Sequence, residues 1–296
     1  MRESFRLCYD PITPRRRERC MNDFTQQATR HVSRTRLFSH TPTAHRRNHD
    51  MYDPKGNGKD RAVQSVHFVE AAPPFHLRGI VHRFLELKTL SALPEDYRFH
   101  ALPDACAYLV FDQLDCRITG ASTLRGTSEE FSLGKTFHFV NIRFLPGVWQ
   151  SGGEPMSYGM VDKPYTGDLP LVEINADLSE RTFADQQPIL ARLVDFLVEN
   201  KIVVVNPVTE KILQNIDAIA SVADMALVSG VSARQLQRTL KRTTGFAPHD
   251  FLKVLRLQQA LNGRDRWSYA DQSHFIHSFR KATGYTPGRY SRKFDV

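Results

Sequence analysis

Arg234, Gln237, Arg238 and Lys241 recur at helical spacing and would share one face of a helix. Their chemistry suits the edges of base pairs. An arginine donates a fork of hydrogen bonds to guanine O6 and N7, and a glutamine pairs in the same way with adenine N6 and N7. Lys241 and Arg242 suit phosphate oxygens, contacts that position a protein without reading sequence. The plainer alternative is a solvated basic helix of an all-α domain, since such patterns recur by chance.

Positioning these side chains takes a helix, a tight turn and a second helix. Val222, Met225 and Ala226 fall at i, i+3 and i+4, one face of a short helix. Gly230 stands where a turn needs positive φ, and Ser232 is a good N-cap for the following helix. Leu236 and Leu240 point away from the basic face, and small Ala226 lets the two helices cross closely. Gly245 and Pro248 end the second helix.

The stretch from Gln235 to Pro248 recurs from His274 to Pro287 at a constant offset of 39 residues. Leu236 maps to Phe275, Leu240 to Phe279, Gly245 to Gly284 and Phe251 to Tyr290. A repeat of this kind marks a duplicated unit. Between the copies, Phe251, Val254, Leu255 and Leu257 suit a connecting helix with Pro248 in its first turn.

From about Pro207 to Phe294 the chain resembles the DNA-binding region of the AraC/XylS family of bacterial transcription regulators. The carriers are the two units and the string from Asp271 to Pro287, which is similar to the family's signature. The resemblance implies two helix-turn-helix units joined by a helix. It places base contacts on Arg234, Gln237 and Arg238 in the first unit and on Ser273, His274 and His277 in the second. It implies double-stranded DNA as partner, with RNA polymerase and a second copy of the chain as further partners. One element departs from the pattern. Shifting Ala226 and Gly230 by 39 lands on Asp265 and Tyr269, so the first helix of the second unit is expected to be missing between Asn262 and Ala270. Phe275 and Phe279 would then lose part of their support, each such burial contributing about 1.5–3 kcal/mol. Trp267 and Tyr269 are the residues at hand to fill the space. The unit is either degenerate or shortened by a deletion.

Charge is unevenly shared along the 296 residues. Residues 1–62 hold 14 Lys/Arg against 7 Asp/Glu, residues 63–204 hold 12 against 18, and residues 205–296 hold 14 against 7. Basic flanks around an acidic centre point to nucleic acid at the ends and another role in the middle. Residues 1–62, with Arg15–Arg19 and Lys55–Lys59, carry few apolar residues and read as a disordered tail. That tail is a basic arm touching phosphates, a solvated extension, or the product of a start assigned before Met51. No apolar run reaches the ~18 residues of a membrane span. Neither a secretory signal nor a metal-binding cysteine pair is evident, so a cytoplasmic protein with free thiols is expected. Cys106 and Cys116 could pair only if their geometry allowed it.

Short strand-forming segments separated by turns run through 107–111, 117–119, 131–133 and 137–144, as in a small sandwich or barrel. Val140, Ile142 and Phe144 alternate as in a half-buried strand. Ala101–Phe111 and Val140–Gly147 resemble the N-terminal domain of some AraC-family regulators, which implies a cupin-like β-fold that senses a small-molecule effector or mediates dimerisation. His67, His76, His82, His100 and His138 lack the close His-x-His pair of a cupin metal enzyme, so no metal, cofactor or catalytic residue is expected. Leu190, Leu193 and Leu197 stripe a helix expected to begin at Pro188; the stripe packs on the β-domain or pairs two subunits.

The sequence therefore predicts an α+β chain: a tail over 1–62, a β-rich cupin-like barrel or sandwich over 63–178, a linker helix and connection over 179–206, and an all-α helix-turn-helix domain over 207–296. The expected role is a DNA-binding transcription regulator and not an enzyme. The rival is an interaction protein whose DNA binding is weakened by the missing helix. Candidate DNA contacts are Ser232, Arg234, Gln237, Arg238, Lys241, Arg242, Ser273, His274 and His277.

Overall fold

The computed structural model describes residues 52–60, 63–124, 126–150, 154–263 and 272–295, apart from the side chains of Gln272 and His274. The described chain starts at Tyr52, ahead of the first strand. Tyr52 is buried, and its hydroxyl donates to the Asp104 carbonyl at 2.7 Å. Strand β1 (Asn57–Asp60) follows, so residues 52–60 are structured where a disordered tail was expected. Low apolar content misled there because the strand is held mainly by backbone pairing, which any sequence can supply. The rest of the expected tail, residues 1–51 and 61–62, lies outside the described residues.

Two sheets face each other. One has the order β10-β1-β4-β7, with β4 (Arg98–Ala101), β7 (Glu129–Ser132) and β10 (Phe294–Asp295). The other runs β2-β3-β8-β5-β6-β9, with β2 (Val66–Ala71), β3 (Val81–Thr89), β5 (Ala107–Asp112), β6 (Thr119–Thr123), β8 (His138–Phe144) and β9 (Met156–Tyr158). Neighbours are antiparallel except β6 and β9. A cavity of about 110 Å³ separates the sheets. It is lined by apolar side chains such as Leu85, Leu87 and Phe139, with Tyr108, Asn141 and Arg143 as its polar end.

Strand β8 sits between β3 and β5. Val140, Ile142 and Phe144 are fully buried, as their alternation predicted. The strand is not half-exposed, however. Asn141 and Arg143 face the cavity, and the opposite side of the sheet is covered by α1 (Leu171–Leu178) and α2 (Phe183–Glu199), which pack on β5, β6 and β3. Helix α2 begins five residues before the expected Pro188, because Thr182 caps it by accepting from the Asp185 amide. Pro188 falls in the second turn instead. Leu190, Leu193 and Leu197 are buried within the chain, so this stripe serves the chain's own core and not a subunit pair. Cys106 and Cys116 are both free thiols.

Between Asn206 and β10 the described residues are mainly helical: α3 (Pro207–Gln214), α4 (Val222–Ser229), α5 (Ala233–Thr244), α6 (Pro248–Leu261), α7 (Gln272–Thr283) and α8 (Pro287–Lys293). This part does not stand clear of the sheets. Tyr52 and Cys106 share one apolar core with Ile212, Met225, Leu236, Leu240, Phe251 and Leu255. No helix among the described residues is long and apolar enough to cross a membrane.

Candidate nucleic-acid interface

The first unit is built by local capping. The Ser221 hydroxyl accepts from the Asp224 amide and starts α4. Gly230 ends α4 in the left-handed region at φ 69°, where a Cβ would be strained. Ser232 then caps α5 in a reciprocal box: its hydroxyl accepts from the Gln235 amide, and the Gln235 side chain accepts from the Ser232 amide. Leu236 and Leu240 are fully buried against Met225 and the α6 residues Phe251 and Leu255. With that face anchored, Arg234, Gln237, Arg238, Lys241 and Arg242 are all exposed. The side chains of Arg234, Gln237 and Arg238 make no hydrogen bond or ion pair to another described residue. Two candidates are partly engaged. Ser232 serves the cap, and the Lys241 ammonium donates to the Gly245 carbonyl at 3.0 Å, closing the end of α5.

From α7 onward, the described part of the second unit repeats the geometry of the first at the same offset. Gly245 and Gly284 have φ 75° and 78°. Pro248 and Pro287 open α6 and α8 at the first turn, and Phe251 and Tyr290 are both buried. A side-chain device recurs as well. The Thr244 hydroxyl donates to the Leu240 carbonyl and accepts from the Phe246 amide; the Thr283 hydroxyl donates to Phe279 and accepts from Tyr285. Ser273 and His277 are exposed on α7, while the side chain of His274 lies outside the described residues.

Support for α7 does not follow the expectation of a bare helix. Phe279 is 4% exposed, packed with Leu257 of α6, Tyr290, Phe294 and Leu102 of the β part. Phe275 is half-buried, its ring centroid 5.7 Å from that of Phe279. The segment thought to lack a helix, with Asp265, Trp267 and Tyr269, lies outside the described residues.

Reasoning from residue types missed three side chains that hold this interface. Asn206 caps α3 and donates to the Gly147 carbonyl and the Thr243 hydroxyl, tying a β-turn to α5. Gln258 is buried in α6; it accepts from the Lys55 amide and donates to the Lys55 and Pro103 carbonyls. His100 stacks on Phe294 at 4.8 Å. Their only sequence signal is a polar residue inside an apolar run, which does not name a partner.

No known family model matches the chain, and no curated protein does. Among solved structures, an apo variant of ToxT from Vibrio cholerae is 10% identical, covering 79% of this chain and 99% of that one at a TM-score of 0.36. A likeness that loose carries no weight for function. The weight rests on the side chains. Of the five histidines weighed for a metal site, His67 and His76 are surface residues. His82 and His100 are buried and hydrogen-bonded, and His138 pairs with Glu86. No group of three or more metal-ligating side chains converges among the described residues.

Proposed function

We propose that this chain is a sequence-specific double-stranded DNA-binding transcription regulator of the AraC/XylS type, a bacterial cytoplasmic protein without catalytic activity. The observation that carries the reading is the repeated geometry of the two units. Each presents a helix with one buried apolar face and one exposed face of hydrogen-bonding side chains, ended by the same threonine–glycine–proline device. In this reading α5 lies in a major groove, with Arg234, Gln237 and Arg238 on base edges and Arg242 and Lys241 on phosphates. Ser273, His274 and His277 of α7 read a neighbouring groove. RNA polymerase and a second copy of the chain are the other macromolecular partners it implies.

The cupin-like sandwich is the sensory part. Its cavity is mostly apolar, and Asn141 Oδ1 beside the polar end is buried without a partner among the described residues. That combination fits a small, largely apolar effector carrying one hydrogen-bond donor. The rival reading is an interaction protein whose DNA binding is weakened or lost because the second unit lacks its first helix; the burial of Phe279 favours the regulator over it.

Random-site selection with the full chain tests the proposal. An enriched motif is expected, and Arg238→Ala should cost about 1–3 kcal/mol at one base position while sparing the others. Arg242→Ala should weaken matched and scrambled sites alike and flatten the salt dependence. Equal losses on both kinds of site in Arg238→Ala would remove its base-reading role, and no motif at all would remove the function.

A further inference from the structure

A reading helix holds base-contact geometry only if its buried face is fixed by the rest of the protein. For α5 the fixing comes mainly from helices α3, α4 and α6, with Tyr52 and Cys106 of the β part in the same core. For α7 the described neighbours are different. Its buried Phe279 meets Leu257 of α6, Tyr290 and Phe294 at the C-terminal end, and Leu102, which follows β4.

The C-terminal end is itself built into the sandwich. Strand β10 pairs antiparallel with β1, Lys59 opposite Asp295 and Asp60 opposite Phe294. On its other edge β1 pairs with β4, which carries His100. The His100 ring stacks on Phe294 and meets the Tyr285 and Tyr290 rings at 5.7 and 5.5 Å. Its Nδ1 lies 3.3 Å from the Tyr290 hydroxyl, within hydrogen-bond reach. Gly58 of β1 sits so close that a Cβ there would overlap the Tyr290 hydroxyl oxygen. A third link lies at the other end of the same face: the Ser128 amide, before β7, donates to the Ala282 carbonyl in the last turn of α7 at 2.7 Å.

We propose that the four-stranded sheet is the scaffold of the second reading helix, with His100, Leu102 and the Ser128 amide as its positioning groups. The sandwich then does for α7 what α4 does for α5. This rests on the DNA-binding reading only for what α7 reads; the scaffold stands on packing alone. It follows that base preference at the second groove depends on residues far from DNA, in the domain that holds the cavity.

The test is hydrogen–deuterium exchange on the full chain without DNA, followed by random-site selection. His100→Ala and, separately, Phe294→Ala should speed exchange of amides from Phe275 to Thr283 roughly fivefold or more, with α5 amides at wild-type rates. Ser128→Pro, which deletes one amide on a loop and leaves the aromatic cluster intact, should act in the same direction and guards against a misfolded variant. In selection, these chains should lose the base preferences that Ser273→Ala and His277→Ala lose, and keep those that depend on Arg238. Unchanged α7 exchange in all three variants, or equal loosening of α5 and α7, would overturn the scaffold. A wild-type chain that enriches no motif would sink the DNA reading, with the exchange pattern deciding the scaffold independently.

Discussion

At the scale of single residues, the most constrained group is His82. Arg143 Nε donates to its Nδ1 at 2.9 Å, so Nδ1 must be the acceptor and the ring is neutral. Its Nε2–H therefore donates to Asp53 Oδ1 at 3.0 Å. Burial pushes the His82 pKa down to about 4 from an ordinary 6.5, with Arg143 and Arg83 adding to the push and Asp53 opposing it. The folded chain thus takes up this proton only near pH 4, whereas the unfolded chain takes it up near pH 6.5. The stabilisation is complete above about pH 6.5 and is lost as pH falls towards about 4, by on the order of 3 kcal/mol. Urea unfolding at about pH 7.5 and about pH 4.5 should show that loss, and His82→Gln should flatten it. An unaltered slope in His82→Gln would assign the acid sensitivity to other groups.

Elements are set by their ends. Gly230 has open space around it, the nearest neighbour of an added Cβ being Lys211 Nζ at 3.9 Å. A substitution there would be opposed by backbone conformation and not by crowding. Gly230→Ala should destabilise by about 1–2 kcal/mol, and Gly230→Asn by less, since asparagine tolerates the left-handed region. Denaturant midpoints of the two variants check this ordering. The same logic explains why the turns were legible in advance: positive φ at Gly230, Gly245 and Gly284 is written in residue type. Helix α2 was less legible because a proline inside the second turn looks, in sequence, like one at the start.

As a whole molecule, the sandwich and the helices form one compact unit within residues 46–296. They share a core through Tyr52 and Cys106, a sheet through β10, and a buried hydrogen bond through the Gln258 side chain. Two domains joined only by a linker would unfold separately. Here unfolding of the two parts should coincide, with far-ultraviolet and near-ultraviolet circular dichroism following one denaturant transition. Two resolved transitions would mean that the shared core contributes little.

Sequence alone determined the features that are local or repetitive. The helical face of Arg234, Gln237 and Arg238, the cap at Ser232, and the 39-residue repeat all depend on contacts within a few residues, so spacing is enough to read them. The alternation of Val140, Ile142 and Phe144 was visible for the same reason. What only the tertiary structure decided is which surfaces meet. Nothing in the sparse, charged stretch around Lys55–Lys59 says that it pairs with the last residues of the chain. Nothing near His100 says that it will stack on Phe294. Backbone pairing between distant segments carries no side-chain code, and an aromatic side chain specifies burial without naming its partner. The support of α7, which the sequence left in doubt, comes from such long-range contacts.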